Sequence, residues 1–360
     1  MLTPPHETVR FHGDPGIERH SVRRNWGARI REYRFEGMRL VFLENEVLRI
    51  GINADRGSEV FEFCYKPRDL DFAPLFRNGM RAPAALPVSP DPELAFVDLY
   101  AGGWQEIFPN GGAPSTYQGV RFGQHDEVWR LAWEPAVLED DPGAVAVAFS
   151  VAAQRVPCRI RKEIRLRAHT PRVDVTETLH NLSEATLDAM WGHHLAYGPP
   201  FLGETCRLSL PPGVEAVAHA DAIDPAGRRV LGGRHRWPAL PTPGGGAVDL
   251  SVIPVRGTPS DIVYLTGFSQ GWYALVDSRE RLGIRVEWDA ATMPYLWFWQ
   301  EFGASRVHPW YGGLYAVGLE PFSSYPTNGL AEAVANGTAM KIDPLGSREF
   351  HLALEVCDEH

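Results

Sequence analysis

Apolar and polar residues alternate with a period of two along much of this chain. Val145, Val147, Phe149 and Val151 are separated by small or polar residues. Ile160, Ile164 and Leu166 alternate with arginine and lysine, and Val173 and Val175 with aspartate and threonine. A period of two puts successive side chains on opposite faces of an extended strand, so each run predicts an antiparallel strand with one buried face and one wet face. By the same logic the basic run Arg159–Arg167 reads as a solvated strand face and not as a phosphate site. Leu40–Phe42 and Val47–Ile52, on either side of Glu44-Asn45-Glu46, predict a hairpin.

Helical periodicity is scarce. Its clearest instance is Gly329–Ala335, opened by Asn328 and closed by Gly337. Thirty prolines and thirty-five glycines supply many turns. They concentrate between Pro211 and Gly246, which predicts a loop-rich excursion within a domain and not a linker between two. No repeat of fixed period is present. Many short strands joined by Gly/Pro turns predict an all-β fold, a large antiparallel β-sandwich with few short helices. The 360 residues are expected to form one domain, with 1–36 as an N-terminal extension and 211–247 as the excursion.

Composition narrows the partners. Hydrophobic residues make up 44% and charged residues 22%, enough apolar mass for a sizeable core. The net charge of −10, without a long Lys/Arg cluster, argues against nucleic acid and anionic membranes and is compatible with a neutral small molecule. The four cysteines, Cys64, Cys158, Cys206 and Cys357, are widely spaced and form no CxxC, so neither a zinc knuckle nor a disulfide scaffold is expected. The opening MLTPPHETVRFHGDPG has no apolar segment of the secretory kind, and no apolar run reaches membrane-spanning length. The expectation is a cytoplasmic protein, monomer or homodimer.

Four segments crowd polar, charged and aromatic residues into strand-like sequence: Gly102–Gly112, Gly123–Glu134, Trp191–Phe201 and Trp288–Pro326. Aromatic faces cover the apolar side of a pyranose while amides and carboxylates bind its hydroxyls, so such segments suit a sugar site. Their order also carries a resemblance. A Gly/Pro-rich segment is followed by His125 leading to Trp129, then by His194 on a strand-like stretch, then by Glu320-Pro321 with Pro326 beyond. In this the chain resembles the galactose mutarotase-like (aldose 1-epimerase) superfamily, from about Val41 to Val356. It departs from the family pattern at two steps. Asp126 follows His125 where the family has glycine, and His193 precedes His194 where it has asparagine.

The resemblance implies a carbohydrate-binding isomerase that interconverts sugar anomers by proton transfer, with Glu320 as general base and His194 as general acid and with no cofactor and no metal. His125 would orient the substrate, and Gln105, Glu106, Asn110, Asp126 and Glu127 are candidate hydroxyl contacts. Adjacent strand residues point to opposite faces, so His193 and His194 should not both meet the ligand. The family pattern assigns the ligand to His194 and leaves His193 as a supporting member of the substrate-side set. Asp289, Trp297, Trp299, Gln300 and Glu301 complete that set. Trp297 and Trp299 share one strand face and Phe298 and Gln300 the other; one face belongs to the core and the other to a stacking platform. A metal held by His125, Asp126, Glu127, His193 and His194 lacks a fixed ligand spacing. A non-catalytic sugar-binding or sugar-sensing protein, or a lyase or glycosidase, would also suit such a fold.

Overall fold

The alternating runs pair into two antiparallel sheets whose apolar faces meet. The computed structural model describes residues 24–76, 79–80 and 91–359, and the backbone at 9–10 and 18–19. The larger sheet runs from Gly233–Arg236 through Glu215–Ala218, Asp261–Thr266, Tyr295–Glu301, Ala316–Phe322, Gly192–Tyr197, Trp104–Ile107, Glu59–Tyr65, Leu48–Asn53 and Met38–Glu44 to Arg29–Phe35; Leu70–Asp71 pairs alongside Glu59–Tyr65. The smaller sheet orders Glu134–Asp141, Ala144–Ala152, Cys158–Arg167, Arg172–Asn181, Ser347–Asp358, Leu282–Trp288, Gly271–Asp277 and Cys206–Ser209. Ile30, Leu43 and Ile52 of the first sheet and Phe149, Ile160, Ile164 and Leu354 of the second join one buried cluster. Each fully buried side chain of this kind contributes roughly 1.5–3 kcal/mol of transfer free energy.

The predicted hairpin forms between Met38–Glu44 and Leu48–Asn53. The loop-rich stretch adds two short strands to one edge of the larger sheet. Arg29–Phe35, inside the expected N-terminal extension, forms the opposite edge; most of residues 1–23 lie outside the described part. The only α-helices among the described residues are Ala95–Leu99 and Leu330–Ala335. The second was expected to start from Asn328. Its N-cap is Gly329, at φ 88° with no side-chain cap of its own. Instead, the N–H of Leu330 donates to Asn110 Oδ1 and that of Ala331 to Ser115 Oγ. No helix of the described residues is long and apolar enough to cross a membrane.

The basic strand needs one correction. Arg159, Arg161, Arg165 and Arg167 face outward, but Lys162 shares the inner face with Ile160 and Ile164 and is buried. Parity requires this, since Lys162 is an even number of residues from both. Its ammonium lies 3.1 Å from Glu106 Oε2 and over the Trp133 ring. Glu177 pairs with Lys162 in register on the neighbouring strand, and Glu106 pairs with His193 on adjacent strands of the larger sheet, which faces them. His193 Nε2 approaches Glu177 Oε2 at 3.1 Å, while Trp104 and Trp191 donate to His193 Nδ1 and Glu106 Oε1. Two cross-strand pairs thus meet as a polar plug inside an apolar core. Burial raises Glu177 to about 7, and burial with the Glu177 charge raises Glu106 to about 7; burial lowers His193 to about 4. Lys162 therefore balances a carboxyl pair that carries about one proton at neutral pH.

Removing one partner of a buried charge pair costs about 3–5 kcal/mol, because the other is left uncompensated. Lys162→Met should lower unfolding free energy by about that much at pH 8, whereas Arg161→Met should cost under about 0.5 kcal/mol. Glu106 titrates higher folded (about 7) than in its ordinary state at 4.5, so its contribution is complete below 4.5 and is lost as pH rises through 7. The Lys162→Met deficit should accordingly shrink between pH 8 and pH 5. Urea unfolding at the two pH values measures both effects.

Candidate active site

On the strand Ala316–Phe322, Val317 and Leu319 enter the inter-sheet core, so Gly318, Glu320 and Phe322 face the other way. Two neighbouring strands fix what they meet there. Trp297 pairs with Glu320 and Trp299 with Gly318. On the other side Gly192 pairs with Phe322 and Ala196 with Gly318, which places His194 opposite Glu320. His194 Nε2 lies 3.6 Å from Glu320 Oε1. That is an ionic approach but longer than a hydrogen bond.

Two glycines make the arrangement possible. A Cβ on Gly318 would stand 2.3 Å from Glu320 Oε1, because the carboxylate lies back over the glycine. A Cβ on Gly192 would stand 2.4 Å from the Phe322 ring, which lies flat there and stacks on Trp297 at 3.8 Å and 9°. Trp297 is tied at its other end by Nε1 donating to the Ser324 carbonyl.

The pair opens into a cleft of about 560 Å³, within the size range of small-molecule sites. Its walls are aromatic. Phe96 lies 4.5 Å from the His125 ring and 5.4 Å from the His194 ring, and Trp299 lies 5.8 Å from His194. His125 sits at φ 55° and accepts the Gly112 N–H on Nδ1, which leaves Nε2 as its N–H donor. The Tyr100 hydroxyl meets His194 Nδ1 at 3.3 Å, so a hydroxyl, an imidazole and a carboxyl stand in line. Burial pushes Glu320 well above its ordinary 4.5 and holds His194 down at about 4. Burial, then the neighbouring His194, holds His125 well below 6.5. Burial thus disfavours the charged form of both members of the His194–Glu320 pair.

Of the residues singled out in the sequence, the structure brings Glu320, His194, His125, Trp297, Trp299 and Glu301 to this cleft. Glu301 is committed within the protein, accepting from Ser260 Oγ and the Gly303 N–H. The others lie elsewhere. Glu106 and His193 belong to the interior plug, because each sits one residue out of phase with the cleft face. Gln105 is in phase with His194 but donates to the Gly102 carbonyl and, at 3.4 Å, to Glu59. Gln300 faces the interior and takes the Arg229 guanidinium. Asn110 binds the Ala113 and Gly123 carbonyls and caps the Leu330–Ala335 helix. Asp126 accepts from the Gly123 N–H and pairs with Arg130. Glu127 accepts from the N–H groups of Gln154 and Arg155. Asp289 closes a turn with Ala291 and Thr292. These four are turn and loop residues whose polarity is spent on neighbouring backbone and side chains of the protein itself.

Other lining residues escaped the sequence reading: Phe96, Tyr100, Trp310 and His219, the last held by Tyr264 at 2.8 Å. Phe96 and Tyr100 had a signal, a four-residue spacing that puts both on one side of a helical turn. Trp310 and His219 lie in irregular chain where no period exists.

Solved structures share this architecture. A Klebsiella pneumoniae protein described as a candidate aldose 1-epimerase superposes with a TM-score of 0.71 at 14% identity, over 92% of this chain and 83% of the other. A galactose mutarotase-like protein from Clostridium acetobutylicum gives 0.65 at 12%, over 92% and 99%. The Slr1438 protein of Synechocystis gives 0.62 at 19%, over 89% and 96%. The chain thus has the galactose mutarotase-like fold. It belongs to the family described as domain of unknown function DUF4432, matched over residues 35–356. No curated protein matches it in sequence.

The histidine shifts are directly measurable. A folded value below the ordinary 6.5 means stability is complete above 6.5 and is lost as pH falls towards 4. Histidine-labelled nitrogen NMR should show His194 neutral until about pH 4. A midpoint near 6.5 would contradict the burial argument.

Proposed function

We propose that the protein is a carbohydrate-binding isomerase that interconverts the anomers of an aldose, with Glu320 and His194 exchanging the protons. The observation that carries this is the Glu320–His194 pair, 3.6 Å apart on the floor of an aromatic cleft, with burial disfavouring charge on both groups. Opening a cyclic hemiacetal requires a proton to leave the anomeric hydroxyl and another to reach the ring oxygen as the bond from C1 to that oxygen breaks. After rotation about C1–C2, the reverse transfers close the ring on the other face. The net proton count does not change, so the pair is ready for the next turnover.

Burial favours the uncharged form of both groups. In that form Glu320 donates to the ring oxygen while neutral His194 takes the anomeric proton. Sequence pattern suggested the opposite assignment, which describes the same pair starting from its other tautomer. Trp299, half-buried at the cleft, offers apolar surface beside the pair, suited to a pyranose face, with buried Trp297 packed behind it. The His125 Nε2–H is available to a hydroxyl oxygen.

Exchange NMR on a panel of free aldoses should show faster anomer interconversion with protein than in buffer. Glu320→Gln and His194→Asn should each lower that rate about 10²–10⁴-fold while the fold is retained. If no aldose equilibrates faster although sugars bind, the protein is a sugar binder and not an isomerase. His194 gains a proton only near pH 4, so kcat/KM should fall below about pH 4 and not near 6.5. Gly318→Ala should match the loss of Glu320→Gln, because the added Cβ takes the carboxylate's place.

A further inference from the structure

A second hollow of about 590 Å³ lies against the cleft. Val97, Tyr100, His308, Pro309 and Trp310 line both, so the two share one wall. Aromatic rings continue across it. Trp299 lies 5.8 Å from Trp310, Trp310 lies 6.2 Å from Tyr100, and Tyr100 lies 5.5 Å from Phe76 in the second hollow. Polar groups line the second hollow from the shared wall to its rim. His308 Nε2 meets Asp98 at 3.0 Å, and Arg256 lies over the Tyr315 ring with a hydrogen bond to the Gly312 carbonyl. Ring faces joined by polar groups are what a chain of pyranoses needs, since each sugar has an apolar C–H face and a hydroxyl rim. The cleft with its proton-transfer pair takes one ring, and the second hollow has no part in that chemistry.

We infer that the ligand is a saccharide of at least two rings, its reducing-end ring over Glu320 and His194 and its next ring in the hollow formed by Phe76, Leu75 and Arg256. The choice of reducing end rests on the anomer-interconverting reading; the two-ring span rests on the paired hollows alone. Only a reducing end has a free anomeric hydroxyl, so the ring at the pair must be terminal and the rest of the saccharide must extend through the other hollow.

Titration calorimetry with glucose and galactose against maltose, cellobiose and lactose tests the span without turnover. At least one disaccharide should bind about tenfold tighter than either monosaccharide. Leu75, half exposed and confined to the second hollow, can be replaced by tryptophan to fill it. Leu75→Trp should weaken the preferred disaccharide about tenfold and leave monosaccharide affinity within about twofold. Arg256→Ala, at an exposed rim position, should weaken the disaccharide selectively as well. If disaccharides bind no tighter than monosaccharides, or if both variants weaken the two classes alike, the two-ring span is wrong. Anomer exchange of glucose and galactose is followed separately. Exchange without disaccharide preference overturns the span alone; disaccharide preference without exchange overturns the isomerase reading alone. If no saccharide binds, both fall.

Discussion

The site depends on the register of the strand Ala316–Phe322 against its two neighbours. Gly192 meets Phe322 and Ala196 meets Gly318 on one side; Trp297 meets Glu320 on the other. A slip of one residue would send Glu320 into the inter-sheet core and Leu319 into the cleft. The apolar packing of Val317 and Leu319 is what opposes the slip. Folding free energy and site geometry are therefore enforced by the same contacts. The carboxyl does not need a dedicated partner to hold it, because the strand cannot turn without emptying the core.

The same constraint operates one strand away, with a different outcome. Gly192–Tyr197 and Trp104–Ile107 each carry consecutive polar residues that the pleat divides between the two faces. His194 goes to the cleft, while His193 and Glu106 go to the interior, where Lys162 and Glu177 reach across from the other sheet. Polar interior groups are costly unless they are paired, and this set is paired within itself. Behind the Glu320–His194 pair there is thus a second assembly of titratable groups, separated from it by the thickness of a β-sheet.

Much of the fold was legible because period-two alternation reports directly on a sheet with one buried face. The runs at Val145–Val151, Ile160–Leu166 and Val173–Val175 all lie in strands of the smaller sheet. Glu320, His194 and His125 could be singled out from the order of the segments that carry them. Which face each polar neighbour took was less legible. His193 and His194, or Glu106 and Gln105, differ only in parity, and parity is set by pairing partners far away in the chain. Asn110, Asp126 and Glu127 show a second limit, since a loop that shapes a cleft uses the same residue types for its own backbone as a ligand site uses for hydroxyls. Lys162 shows a third, because a lysine inside an alternating run looks solvated until the carboxylates facing it are known.

Gly318 bears on how relatives of this protein should be sorted. The Glu320 side chain lies where a Cβ two residues earlier would be. A homologous chain that keeps the glutamate but carries a larger residue at the glycine has the functional group without the space to set it down. Such a chain would pass a residue-by-residue inventory and still lack this placement of the carboxyl. The unit that records this arrangement is a glycine and a glutamate two positions apart on one strand face, and divergence within the family can be followed by asking whether both persist together.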